Sequence, residues 1–132
     1  NLYFWILNED NEQKCCFYGT IIQKNEDLDK IIIYREKSAI KDCKLTNNMI
    51  WDNRFRIKYL GNDEDIMVTT LNAEQFNRLE ITKPNIIIKD ILYTIPIFKK
   101  NNEILAINQL GFYKNKEIKK LIKIDFDKKT KL

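Results

Sequence analysis

The sequence has no histidine, only three cysteines, three glycines and two prolines, and four arginines among its 23 basic residues. Without imidazole, a zinc centre or a His-based triad loses its commonest component, which argues against a self-contained hydrolase. Cys15, Cys16 and Cys43 are odd in number and lack Cys-x-x-Cys spacing. Neighbouring Cys15 and Cys16 would face opposite sides of a strand, so a reducing, cytoplasmic setting is expected rather than a disulfide scaffold. With no His beside them, these thiols are not expected to act as nucleophiles. No apolar run approaches the ~18 residues of a membrane span, and the start lacks a charged-then-apolar leader, so no membrane partner is expected. Asp63-Glu64-Asp65 lacks the spacing of a calcium loop and reads as a solvated turn after Gly61-Asn62, so no metal site is expected. Neither a Gly-x-x-Gly clamp nor an RNP-type aromatic motif is present.

What remains is ordinary material for one globular domain, expected to span residues 1–132: 44% hydrophobic and 32% charged. The net charge of +4 is unevenly placed. From Lys99 onward ten Lys face four carboxylates, a local balance of +6 against −2 for the preceding residues. That asymmetry suits an electrostatic footprint for a polyanion, and equally a solvated edge strand with a Lys-rich tail.

The dominant period is two, which indicates strands. From Met49 to Tyr59 the odd positions Met49, Trp51, Asn53, Phe55, Ile57 and Tyr59 form one face, suited to a core, while Asp52, Arg54, Arg56 and Lys58 fall on the other. Ile31-Ile32-Ile33-Tyr34 reads as a strand buried on both faces or nearly so, paired with Cys15 to Gln23 across residues 24–29. Ile66 to Thr70 is a further strand. Asn72 is an expected helix N-cap with Gln75 three residues on and a Leu71/Phe76 staple, the helix ending before Pro84. Residues 85–92 fit a helix or a strand. Ile95 to Lys99 and Glu103 to Ile107 read as a hairpin turned by asparagines, and Ile118 to Phe126 as a last strand. The sum is α+β: six to eight mostly antiparallel strands with one or two short helices.

Arg54, Arg56 and Lys58 would project from one side of a strand, roughly 6 to 7 Å apart per two residues, close to the phosphate repeat of a nucleic-acid strand. For Arg54 the alternative is an ion pair with Asp52 or a buried carboxylate. Trp51, Phe55 and Tyr59 could stack on bases, but their alternation reads as core, and the same holds for Tyr34 and Tyr113. Lys114, Lys116, Lys119, Lys120 and Lys123 form the densest basic stretch, able to attract RNA without base specificity. Gly19 and Gly111 are expected at tight turns or bulges.

The ordered blocks Trp51-Asp52-Asn53-Arg54-Phe55, Thr94-Ile95-Pro96-Ile97-Phe98 and Glu103 to Tyr113 resemble the C-terminal region of the tRNA(Ile)-lysidine synthases. Upstream, Tyr18-Gly19-Thr20-Ile21-Ile22 and Ile33-Tyr34-Arg35-Glu36 add to the resemblance. Thr20 and Asn108 depart from it, standing where such proteins often have Cys and Pro. The family's Ser-Gly-Gly-x-Asp-Ser phosphate loop is absent from these residues. The resemblance therefore implies a barrel-like α/β substrate-recognition domain whose catalytic, ATP- and Mg²⁺-using domain lies on other chain. It implies tRNA(Ile) and the rest of the synthase as partners, and no cofactor or catalytic residue here. Arg54, Arg56, Lys58, Lys119, Lys120 and Lys123 are then the expected RNA contacts, and a homodimer is left open. A standalone basic interaction module without catalysis is the alternative.

Overall fold

The computed structural model describes residues 6–7, 13–25, 29–81 and 89–127. They belong to two compact units, Asn1–Ile40 and Lys41–Leu132. The first is an antiparallel sheet in the order β1-β2-β3-β4, made of β1 (Ile6–Leu7), β2 (Gln13–Phe17), β3 (Thr20–Asn25) and β4 (Lys30–Arg35). Cys15 to Gln23, expected as one strand, is itself a hairpin. Tyr18 and Gly19 take φ of 47° and 73° and turn the chain in two residues, leaving Phe17 opposite Thr20. Left-handed backbone at both central positions is what such a turn requires. Arg35 clasps it, Nη1 donating to the Gly19 carbonyl at 2.7 Å. The pairing expected between this segment and Ile31 to Tyr34 is present as β3 against β4, its tip outside the described residues. β4 is not buried on both faces, however. Tyr34 is buried and donates to Gln23 Oε1 at 2.9 Å, whereas Ile31 and Ile33 are 63% and 66% exposed. A β-branched run reports that its residues suit a pleated strand, not how many layers cover it.

The second unit contains β5 (Cys43–Lys44), β6 (Asn48–Trp51), β7 (Phe55–Tyr59), β8 (Met67–Thr69), α1 (Ala73–Arg78), β9 (Ile97–Lys100), β10 (Glu103–Ile107), β11 (Phe112–Tyr113), α2 (Lys116–Leu121) and β12 (Ile122–Phe126). Its sheets run β11-β10-β9-β8-β5 and β12-β7-β6, every pairing antiparallel. The fold is thus α+β and largely sheet. Among the described residues no sheet closes into the barrel that the resemblance implied. Closure requires the outer strands to pair, and here the larger sheet ends at β5 and β11, each two residues long.

The helix start was legible. Asn72 Oδ1 accepts from Gln75 N at 2.8 Å while the Gln75 side chain accepts from Asn72 N at 3.0 Å, a complete capping box. Leu71 and Phe76 bury in one cluster with Leu92, Ile97 and Ile107. The helix stops at Leu79, before the expected limit. The first half of the segment 85–92 lies outside the described residues; its second half, 89–92, belongs to a 3₁₀ turn, Lys89–Thr94. Asn101 and Asn102, at φ 50° and 65°, turn β9 into β10. The expected strand Ile118 to Phe126 is instead α2 followed by β12. Asn115 caps the helix by accepting from Ile118 N at 2.9 Å, and Lys-Glu-Ile-Lys-Lys-Leu consists mainly of good helix formers.

Candidate nucleic-acid interface

The segment Met49 to Tyr59 keeps its predicted parity at Trp51, Phe55, Ile57 and Tyr59 but not at Asn53, which is exposed, and it does not keep its continuity. Trp51, Phe55, Ile57 and Tyr59 are buried, as their alternation required. Between Trp51 and Phe55, Asp52 and Asn53 adopt φ of 53° and 55° and fold the chain into the β6/β7 hairpin. A three-residue insertion paired Trp51 to Phe55 preserves which positions face inward, so the sequence pattern looked like one strand.

This removes Arg54 from the outward row. Its Nε donates to Asp52 Oδ2 at 2.7 Å and its Nη2 to the Thr94 carbonyl at 2.6 Å. The guanidinium carbon lies 5.0 Å from the Phe55 ring centroid and 5.8 Å from that of Trp51. Arg54 is therefore a structural tie. It joins Trp51-Asp52-Asn53-Arg54-Phe55 to Thr94-Ile95-Pro96, so two blocks distant in sequence meet at one side chain.

Arg56 and Lys58 do share the outer face of β7, the central strand of its sheet. The register with β12 sets Lys58 opposite Lys123 and Arg56 opposite Asp125. On the other side, β6 offers Asn48 to Lys58 and Ile50 to Arg56. Arg56 Nη2 stands 3.9 Å from Asp127 Oδ1, a carboxylate only 6% exposed. Lys58 and Lys123 are exposed, and among the described residues neither forms an ion pair. A solitary unpaired lysine is ordinary. Two directly opposed across a ladder repel each other and weaken the pairing by a few tenths of a kcal/mol to ~1 kcal/mol.

Lys119 and Lys120 sit on α2, not on the strand with Lys123. Lys119 Nζ lies 5.6 Å from the Tyr113 ring centroid, an exposed cation–π contact worth ~0.5–1 kcal/mol. Lys120 is exposed. Of the remaining basic stretch, Lys114 is engaged with Glu103 at 2.9 Å. Lys119 and Lys123 border a cleft of about 330 Å³ with Asn108, Gln109 and Tyr113. Asn108 and Gln109 were not singled out from sequence as contacts, whereas Tyr113 was among the aromatics able to stack on a base. Their signal is faint: an Asn-Gln pair on a 3₁₀ turn, closed by Gly111 at φ 67° as expected of that glycine.

The other candidates are structural. Asp63 pairs with Lys100, and its Oδ1 accepts from Asp65 N at 2.9 Å, fixing the turn as an Asx-type loop. Among the described residues no His, Cys, Asp and Glu cluster is suited to a metal, and no helix is long and apolar enough to cross a membrane. Cys15 is buried and Cys16 exposed. The Cys16 thiol donates to Glu36 Oε2 at 2.9 Å, which with the carboxylate's charge raises its pKa. Burial and then Asp42 push the Cys43 thiol up as well, so neither is set for thiolate chemistry.

The Lys100 hydrogen bond, then the Asp65 N–H, hold the Asp63 carboxyl below its ordinary range. A depressed folded-state pKa contributes stability that is present above the unfolded value and lost as pH falls through the folded one. Lys100→Met is therefore expected to move acid unfolding to higher pH and to return the Asp63 pKa toward its ordinary value, measured by carboxyl-detected NMR titration. An unmoved Asp63 titration would show the pair to be without consequence.

No protein-family model matches the sequence, and no solved structure matches it. Curated relatives do. A tRNA(Ile)-lysidine synthase of Rickettsia felis is 30% identical over 122 residues, covering 83% of this chain and 28% of the relative. One of Rickettsia bellii is 27% identical over 121 residues with the same coverages. One from the Wolbachia of Brugia malayi is 29% identical over 111 residues, 80% of this chain and 25% of the relative. The chain spans about a quarter of the length of the relatives it matches. What it is similar to is the C-terminal region of the tRNA(Ile)-lysidine synthases.

Proposed function

We propose that this chain is the tRNA-holding C-terminal part of a tRNA(Ile)-lysidine synthase, and that it supports ATP-dependent attachment of lysine to the anticodon cytidine of tRNA(Ile). The observation that carries the reading is Lys58 facing Lys123 across β7 and β12. That juxtaposition costs stability in the free protein, and a phosphate between the two ammonium groups would remove the cost. Arg56 beside them and Lys119 and Lys120 on α2 extend the positive field, and the similarity to tRNA(Ile)-lysidine synthases supports a tRNA as the RNA bound. Arg54 belongs to the scaffold of this surface. The family's Ser-Gly-Gly-x-Asp-Ser loop is not among these residues, and on this reading ATP and Mg²⁺ would be held elsewhere in the synthase. Nucleotide chemistry is assigned to another part of the enzyme.

The test is fluorescence anisotropy of tRNA(Ile) with the full chain across a salt series, with heparin as competitor. Binding should fall steeply with salt. Lys58→Ala/Lys123→Ala should weaken it about tenfold or more and flatten the log–log slope by about 0.9 for each phosphate no longer neutralised. Binding that heparin abolishes as readily as it competes with any acidic polymer, or that the double variant leaves unchanged, would leave a basic module without a tRNA role.

A further inference from the structure

The proposed RNA surface does not end at the lysine pair. Beside Lys123 the chain forms the cleft bounded by Asn108, Gln109, Tyr113, Lys119 and Lys123, with Ile122 and Ile124 contributing apolar wall. Its volume of about 330 Å³ lies at the small end of the ~300–1,000 Å³ typical of small-ligand sites. The lining is neither that of an apolar peptide groove nor a plain patch of charge. It combines an aromatic ring, an exposed amide and two ammonium groups, the elements that recognise an unstacked nucleotide: a ring for the base face, an amide for the base edge, and cations for the phosphate.

We infer that this cleft receives a single unstacked nucleotide of the bound RNA. The inference rests on the RNA-binding reading above and adds a base-dependent contact to it. Tyr113 provides the stacking surface. Its ring is half-buried and carries Lys119 near its face in the free protein. An entering base displaces that ammonium toward the phosphate, because base-on-ring stacking is stronger than an exposed ammonium–ring contact. Lys123 supplies the second phosphate contact and links the cleft to Lys58 through the β7/β12 register. Gln109, exposed on the 3₁₀ turn Asn108–Leu110, offers both a donor and an acceptor to the base edge. Asn108 secures the wall, Nδ2 donating to the Ile122 carbonyl at 3.2 Å. Its Oδ1 is shielded from solvent and has no hydrogen-bond partner among the described residues. Polar atoms so shielded normally have one, so Asn108 serves the wall rather than the base edge. An acidic peptide would use the lysines but leave the ring and amide idle.

Three RNAs separate the possibilities: a blunt duplex, the same duplex with one unpaired nucleotide, and that duplex with an abasic residue in the unpaired position. The full chain is expected to bind the second about tenfold more tightly than the other two, in line with stacking of one base. Gln109→Ala should lower that preference while leaving blunt-duplex affinity unchanged, Tyr113→Leu should lower it too, and Tyr113→Phe should retain it. Gln109 is exposed, so its variant does not depend on refolding of the core. Equal affinity for all three RNAs overturns the cleft's role but leaves the electrostatic reading standing. Absence of salt-dependent binding to any of them overturns both.

Discussion

Arg54→Ala is expected to destabilise the second unit by about 2–4 kcal/mol, more than any change at the outer lysines. The side chain makes two charge-assisted hydrogen bonds, to Asp52 Oδ2 at 2.7 Å and to the Thr94 carbonyl at 2.6 Å. Asp52 is only 6% exposed, so removing the guanidinium takes a close counter-charge from a carboxylate that water cannot readily solvate. The Thr94 carbonyl loses a donor in a residue that is itself buried. Arg54→Lys should recover less than half of the loss, since one ammonium cannot reproduce a fork bonded through Nε and Nη2 to two separated oxygens. Denaturant unfolding followed by Trp51 fluorescence in a Trp5→Phe background measures the effect. A midpoint shift worth less than ~0.5 kcal/mol would reduce Arg54–Asp52 to an ordinary surface pair.

Lys58→Glu should separate stability from binding, with opposite signs. The substitution replaces a like-charge pair across β7 and β12 with a pairable one, and is expected to stabilise by about 0.2–1 kcal/mol. The same substitution reverses the field where phosphate is proposed to sit, and tRNA affinity should fall by roughly one to two orders of magnitude at low salt, the difference shrinking as salt rises. The two measurements belong on one preparation. A generally damaged protein would lose both properties, whereas a site that gave up stability for anion binding gains one and loses the other. Unchanged affinity with raised stability would mean that the opposed lysines serve no RNA.

Local features were legible wherever the physics was local. Asn72 and Gln75 form their capping box because each lies within reach of the other's backbone along one turn. Asn101 and Asn102 turn a hairpin because asparagine tolerates left-handed backbone. Trp51, Phe55, Ile57 and Tyr59 are buried because a period of two puts them on one face. Failures came where two structures share one pattern. The Asp52–Arg54 turn preserved the parity of the strands around it and hid the hairpin that takes Arg54 out of the row with Arg56 and Lys58, although the Asp52 ion pair stated as the alternative for Arg54 is present. Lys116 to Leu121 continued into a true strand and was read with it, although Asn115 stood at the helix start. Ile31 and Ile33 announced a strand but not that their side would be left open.

By itself the sequence determined an α+β chain with a period-two core, a basic C-terminal end, no imidazole chemistry, and an order of blocks that resembles one family. Those properties follow from composition and from contacts a few residues apart. Only the tertiary structure decided that Lys58 faces Lys123, that Arg54 binds Thr94, and that Asn108, Gln109 and Tyr113 border one cleft with Lys119. Each of those depends on which strands pair and in what register, and register is set by the burial of whole faces rather than by any segment's own pattern.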